Sequence, residues 1–206
     1  MKSIEIELTS ACNARCGSCQ RTMMANDGRP VEIRSYTIEE FEQYFDSVDM
    51  RGWRIKLCGV LGDPIACKDL YEITEYLLDK EVRFIEVSTN AGLKTKKFWE
   101  RYGSLSKESD GRLNIHFAID GVHTNDYRVG VDLKKVWNNV DSYLRHGGYG
   151  SWQFIIFDYN KHEVEEARIL SKEKGMQFIT RTAWKNDSSE KEQQSIYVQS
   201  LTQDYD

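Results

Sequence analysis

The chain has 206 residues, 40% of them hydrophobic and 12% aromatic, enough for one domain with a well-filled core. Charged residues make up 30% and proline only 2 positions, which excludes a low-complexity or disordered chain. The formal net charge of -5 comes without any block of Lys and Arg, so a large nucleic acid is not an expected partner.

From the N-terminus, "MKSIEIELTS" alternates apolar and charged residues and lacks the apolar run of a signal peptide. No later stretch approaches the roughly 20 apolar residues that cross a bilayer. The expectation is a cytoplasmic protein with no membrane span. Short β-rich runs then follow at residues 4–8 ("IEIEL"), 54–59 ("RIKLCG"), 84–90 ("FIEVSTN"), 113–120 ("LNIHFAID"), 152–158 ("WQFIIFD") and 177–182 ("QFITRT"). Helical periodicity fills gaps between them. "TIEEFEQYFDSV" opens with Thr37 and Glu40 at capping-box spacing and repeats apolar residues at Ile38, Phe41, Phe45 and Val48. "DLYEITEYLLD" stacks Leu70, Ile73 and Leu77, and "DLKKVWNNVDSYLRHGG" stacks Leu133, Val136, Val140 and Leu144. Gly147 is placed to end that helix, and "KHEVEEARILSKEKG" ends likewise at Gly175.

Six strands alternating with helices predict an α/β fold, a parallel sheet joined by right-handed crossovers. With six units rather than eight, the sheet is expected to form an open, partial (β/α)6 barrel resembling a TIM barrel. Residues 1–184 form the core in this reading, and 185–206 a polar C-terminal tail. Ligands of such sheets bind at the carboxyl ends of the strands.

"ACNARCGSC" lies just past the first strand, at that end, and sets Cys12, Cys16 and Cys19 in a C-x3-C-x2-C spacing. In a reducing compartment such a cluster is expected to bind metal or take part in redox chemistry. Iron–sulfur clusters and structural zinc both normally take four protein ligands. Three cysteines leave one position open, which suits a metal that must coordinate a second molecule. The alternative is a zinc site completed by a distant Cys or His, although His116, His123, His146 and His162 show no H-x3-5-H pairing. Cys58 and Cys67 read as small buried hydrophobes.

"ELTSACNARCGSCQR" resembles the cluster loop of the radical S-adenosylmethionine (radical SAM) superfamily, and further similarities recur at successive strand ends over residues 4–182. The resemblance implies that Cys12, Cys16 and Cys19 bind three irons of a [4Fe-4S] cluster whose fourth iron is chelated by S-adenosylmethionine (SAM). "CGVLGDP" is similar to the family's Gly-Gly-Glu-Pro segment, assigning Gly62, Asp63 and Pro64 to the SAM amino group, with Asp63 a shorter carboxylate than the usual Glu. "VSTNAG" and "AIDG", followed by "DYRVG", resemble the segments that meet the ribose and carboxylate, which nominates Ser88, Asn90, Asp120 and Arg128. On strands five and six, Gln153 and Arg181 are further candidates if alternation turns them inward.

The resemblance implies an enzyme that cleaves SAM to a 5'-deoxyadenosyl radical and needs an external one-electron donor of flavodoxin or ferredoxin type. Similarity to peptide-modifying relatives makes a peptide or protein side chain the first expected substrate, and a nucleoside or small metabolite the second. Those relatives carry a cysteine-rich C-terminal extension; no cysteine follows Cys67 here, so a single cluster is expected. A reading of another class is a non-catalytic zinc-binding interaction module. The two differ in whether SAM binds, and in whether Asn90 and Arg128 matter to that binding.

Overall fold

The computed structural model describes residues 2–183, and the expected tail at 185–206 lies outside them. Within the described residues the strands are β1 (Ser3–Ile6), β2 (Arg54–Leu57), β3 (Phe84–Thr89), β4 (Leu113–Ala118), β5 (Tyr149–Ile156) and β6 (Gln177–Thr182). They form one sheet in the order β1-β2-β3-β4-β5-β6, every neighbouring pair parallel. Each crossover therefore advances one strand in the same direction, as in a (β/α) barrel, and six units leave it open.

The helices are α1 (Gln20–Asn26), α2 (Ile38–Phe45), α3 (Leu70–Asp79), α4 (Lys96–Glu108), α5 (Leu133–Arg145) and α6 (Val164–Glu173). Four match the periodic segments; α1 and α4 were not anticipated by them. Thr37 and Glu40 make the expected reciprocal capping box at α2. Gly147 and Gly175 follow α5 and α6 with positive φ, the left-handed exit that glycine adopts without a Cβ penalty.

One face of the sheet is mostly apolar, Thr89 and Thr180 being polar positions on it. Ile55, Leu57, Ile85, Val87, Ile115, Phe117, Trp152 and Phe154 are buried beneath the helices. Trp99 of α4 packs on Phe117 at 6.1 Å between ring centroids, and Trp137 of α5 on Trp152 at 4.9 Å. The large rings also satisfy their polar tips: Trp152 Nε1 donates to the Ile119 carbonyl at 2.7 Å, and the Tyr143 hydroxyl to that of Tyr149 at 2.8 Å. Truncating such a ring costs about 3–5 kcal/mol, so this layer is the main source of stability.

The other face is polar, contrary to the usual two-sided burial of parallel strands. Register sets Glu5, Lys56, Glu86 and Asn114 in one row and Ser88, His116 and Ser151 in the next. Lys56, Glu86, Ser88, Asn114 and His116 are half-buried, Glu5 is exposed and Ser151 buried, and together they line the inside of the open barrel, which explains why β3 and β4 alternate so regularly. Among the described residues no helix is long and apolar enough to cross a membrane.

Candidate active site at the strand ends

The chain leaving β1 folds across the carboxyl ends of its neighbours and is pinned there by the segment leaving β2. Glu7 Oε1 accepts hydrogen bonds from the backbone N–H of Leu61 at 2.7 Å and Gly62 at 2.9 Å. Asp63 N donates to the Ala11 carbonyl at 2.8 Å. Between these contacts the backbones meet at Gly62, where an added Cβ would lie 1.8 Å from the Thr9 carbonyl oxygen. Gly62→Ala must push the two segments apart and is expected to cost about 2–3 kcal/mol. Denaturant midpoints check this: a loss below about 0.5 kcal/mol, the range of neutral surface changes, would mean that the segments do not touch.

On this platform Cys16 is buried, while Cys12 and Cys19 are half-buried. Ala14 N donates to Cys12 Sγ at 3.3 Å, and Cys19 N to the Cys16 carbonyl at 3.0 Å where α1 begins. Burial pushes the Cys12 thiol up to about 12, with the Asp63 carboxylate adding to the effect. Burial likewise pushes Cys16 up to about 11, against the pull of the Arg128 guanidinium. Thiols so placed stay protonated at neutral pH unless a cationic centre binds them as thiolates. The donor set is thus three sulfurs that want a metal. Among the described residues no three His, Cys, Asp or Glu side chains, the three cysteines included, are grouped so as to hold a single metal ion.

The nominated SAM contacts divide into two kinds. Asp63 and Asn90 are buried and already engaged. Asp63 Oδ1 accepts from Ile65 N at 3.0 Å, capping the turn that Pro64 opens, and its Oδ2 accepts from Asn90 N at 2.8 Å. Asn90 Oδ1 accepts from Gly92 N at 2.7 Å, and its Nδ2 donates to Asn13 Oδ1 at 3.0 Å and approaches Cys12 Sγ at 3.9 Å. Both side chains brace the loops round Cys12. Ser88 differs: among the described residues its hydroxyl, buried on the inner face, has no hydrogen-bond partner.

Asp120 and Arg128 form a buried ion pair. Arg128 Nε stands 2.9 Å from Asp120 Oδ2, close but off the line of a hydrogen bond. Burial raises the Asp120 carboxyl while Arg128 pulls it down. Burial works against the guanidinium's charge, yet Asp120, helped by Cys16, holds it above its ordinary range. Asp120 Oδ1 also accepts from Ile155 N at 2.8 Å, tying β4 to β5, and Arg15 N donates to the Val129 carbonyl at 2.9 Å, tying the cysteine loop to the loop after β4.

Sequence reasoning missed Glu7, Asn13 and Asn160. Asn160 is fully buried and clamps the same corner, its Nδ2 donating to the carbonyls of Asp120 at 2.8 Å and Ile155 at 2.9 Å. Of the two undecided strand residues, Gln153 faces inward: His116 Nε2 meets its Oε1 at 3.0 Å, and His116 Nδ1 meets Ser151 Oγ at 2.8 Å. Arg181 pairs in register with Ile155, on the same face of the sheet as Gln153 but one row further along, and is exposed.

A three-sulfur site at the carboxyl ends of an open parallel α/β sheet defines a class of metal-cluster enzymes. The model of the radical SAM superfamily matches residues 6–175, and the chain belongs to that family. With membership come enzymatic character and the family's cofactors, a [4Fe-4S] cluster and SAM; Cys12, Cys16 and Cys19 are the free thiols that the loop would offer such a cluster. A probable GTP 3',8-cyclase of Archaeoglobus fulgidus is 27% identical over 169 residues, 80% of this chain and 52% of its own. That of Methanococcus maripaludis is 24% identical over 71% of this chain and 47% of its own. The chain thus spans about half the length of the curated relatives it matches. Among solved structures, Streptococcus suis SuiB bound to precursor peptide SuiA superposes with a TM-score of 0.67 at 16% identity, covering 87% of this chain and 39% of that one. Native anSMEcpe with bound AdoMet gives 0.60 at 16% identity, over 87% and 52%. These likenesses establish the fold as the partial barrel expected.

Proposed function

We propose that this chain carries out reductive cleavage of SAM and directs the resulting radical to a substrate held on the inner face of the barrel. The observation that carries the reading is the cysteine loop folded over the strand ends, with Cys16 beside the buried Asp120–Arg128 pair. When bound, the cluster would supply one electron to the sulfonium of SAM, breaking its C5'–S bond so that methionine leaves and the 5'-deoxyadenosyl radical can take a hydrogen atom from substrate. The chain's own residues hold and orient. Cys12, Cys16 and Cys19 bind the cluster, Asp63 and Asn90 fix the loops around it, and the Ser88 hydroxyl is an open contact for SAM. Gly62 and Pro64 shape the strand-two exit, and Arg128 with Asp120 supplies charge beneath the site. An external one-electron donor of flavodoxin or ferredoxin type and a cytoplasmic setting complete this reading.

For the substrate, the sequence resemblance points to a peptide or protein side chain. A purine nucleotide or nucleoside has a specific observation in its favour. The relatives similar along most of this chain are described as GTP 3',8-cyclases. The hydrogen-bonded His116, Ser151 and Gln153 also give the inner wall polar edges suited to a heterocycle. We adopt the nucleotide reading. The test is anaerobic: reconstitute the cluster, reduce it, add SAM with and without GTP, and quantify 5'-deoxyadenosine. Stimulation by GTP, with deuterium passing from ribose-labelled GTP to 5'-deoxyadenosine, is the expected result. Unstimulated 5'-deoxyadenosine formation would reject the nucleotide and keep SAM cleavage; none under any condition would reject both.

A further inference from the structure

A cavity of about 710 Å³ opens on the outer, helix-covered side of the strand ends. Leu93 and Phe98 form its apolar wall, Cys12 borders it from the cluster loop, and Lys68, Lys94 and Lys135 supply its charge, with no acidic residue in the lining. The charge extends beyond the rim. The first turn of α4 carries Lys96 and Lys97 and that of α5 Lys134 and Lys135, and neither first turn has an acidic residue. Cations there oppose the helix dipole, each by about 0.3–1 kcal/mol. A chain of net charge -5 thus places four lysines at these two helix starts, where local energetics resists them.

The neighbouring carboxylates turn to backbone instead. Asp69 Oδ2 accepts from Ile38 N at 3.0 Å, and Asp132 Oδ1 accepts from Lys134 N at 2.9 Å and Lys135 N at 3.3 Å. On the exposed side Lys96 reaches Glu100 at 3.6 Å. Lys94 is held in place, its Nζ donating to the Cys67 carbonyl at 2.8 Å and lying 5.3 Å from the centre of the Phe98 ring. Its position is set before any partner arrives, while burial pulls its pKa down.

We propose that this cationic cavity is the docking surface for the one-electron donor, an acidic protein whose flavin or iron–sulfur group sits near its surface; the proposal rests on reading the cysteine loop as the cluster site. A redox group seated here would lie against Cys12 of the loop that would hold the cluster, leaving the inner face of the sheet for SAM and substrate. One electron leaves the carrier and enters the cluster, and no bond is made or broken. Opposite charge on the carrier steers the encounter, so the electron-transfer rate should fall with added salt.

The test uses the cluster-loaded chain with two reductants, dithionite and reduced flavodoxin, and follows 5'-deoxyadenosine. Lys68→Glu/Lys135→Glu reverses two exposed charges; Lys172→Glu, in the last turn of α6, is the control. In the double variant the flavodoxin-driven rate should fall at least tenfold and lose its salt dependence, with the dithionite-driven rate within twofold of the parent. The Kd of oxidised flavodoxin for the metal-free protein should rise at least tenfold in parallel. An unchanged flavodoxin-driven rate, or an equal fall with Lys172→Glu, overturns the docking surface. Failure of the parent with dithionite removes instead the functional reading on which it rests.

Discussion

Cys16→Ala is expected to give a folded protein without the brown colour of an iron–sulfur cluster, forming 5'-deoxyadenosine at least about a thousandfold more slowly, ~4 kcal/mol in barrier terms. The expectation joins two properties of one side chain. As a packed group, Cys16 is a small buried thiol, and alanine leaves only a small gap, costing about 1–2 kcal/mol. As a ligand, it is one of only three sulfurs in the loop, so its loss removes a corner that neither neighbour can replace. Iron and sulfide content after reconstitution, read beside the thermal midpoint, separates the two effects. Cys58→Ala and Cys67→Ala serve as internal comparisons. Cys58 Sγ points to Glu5 Oε2 at 3.6 Å and Cys67 Sγ to the Tyr36 carbonyl at 3.5 Å, so both should keep full iron content. Equal iron loss in Cys58→Ala would sink the three-sulfur assignment, and one zinc per chain in the parent protein would favour the interaction-module reading.

The strands were legible because each contrasts strongly with its flanks. In "FIEVST" and "LNIHFA" every second residue is buried, and the βα alternation then fixed parallel pairing and strand order. Helix α4 was missed for a tertiary reason. Phe98, Trp99, Tyr102 and Leu105 keep a helical spacing, but Gly103 interrupts it, and glycine in a helix interior is unfavourable by about 1 kcal/mol. Its cause lies in another helix: a Cβ there would sit 2.3 Å from the Tyr143 carbonyl oxygen of α5. Helix α1 has neither a side-chain cap nor a buried residue, so no periodic signal marks it.

At the site, distance along the chain decided what could be read. The cysteines fall within eight residues and announce themselves. Asp63 is engaged by a backbone N–H 27 residues away, and Glu7 by two that lie 54 and 55 residues on. Nothing in the local sequence reveals such partners. A carboxylate that the resemblance assigns to the cofactor can thus also brace its neighbouring loops, as Asp63 does, and Glu7 holds the cysteine loop in place through partners far along the chain.

The Asp120–Arg128 pair makes the second large effect. Asp120 is fully buried and the Arg128 side chain is only 12% exposed, so neither charge can be rehydrated where it stands. Removing one partner strands the other, at a typical cost of about 3–5 kcal/mol. Arg128→Met keeps much of the volume and removes the charge. The Asp120 carboxyl, already raised by burial, then loses the guanidinium that pulls it down and rises further. A folded-state pKa above the unfolded value of about 3.9 means that protonation favours the folded state. That contribution is fully present below the unfolded pKa and is lost as pH rises through the folded one. The deficit of Arg128→Met against the parent should therefore be small near pH 4 and grow toward neutrality. Urea midpoints of the metal-free proteins across that range read it directly. Asp120→Asn/Arg128→Met should recover at least half of the neutral-pH loss, since the amide oxygen can still accept from Ile155 N and no charge is left stranded. A deficit independent of pH, or a double variant no better than the single, would mean that the loss arises from packing around Arg128 rather than from an abandoned carboxylate.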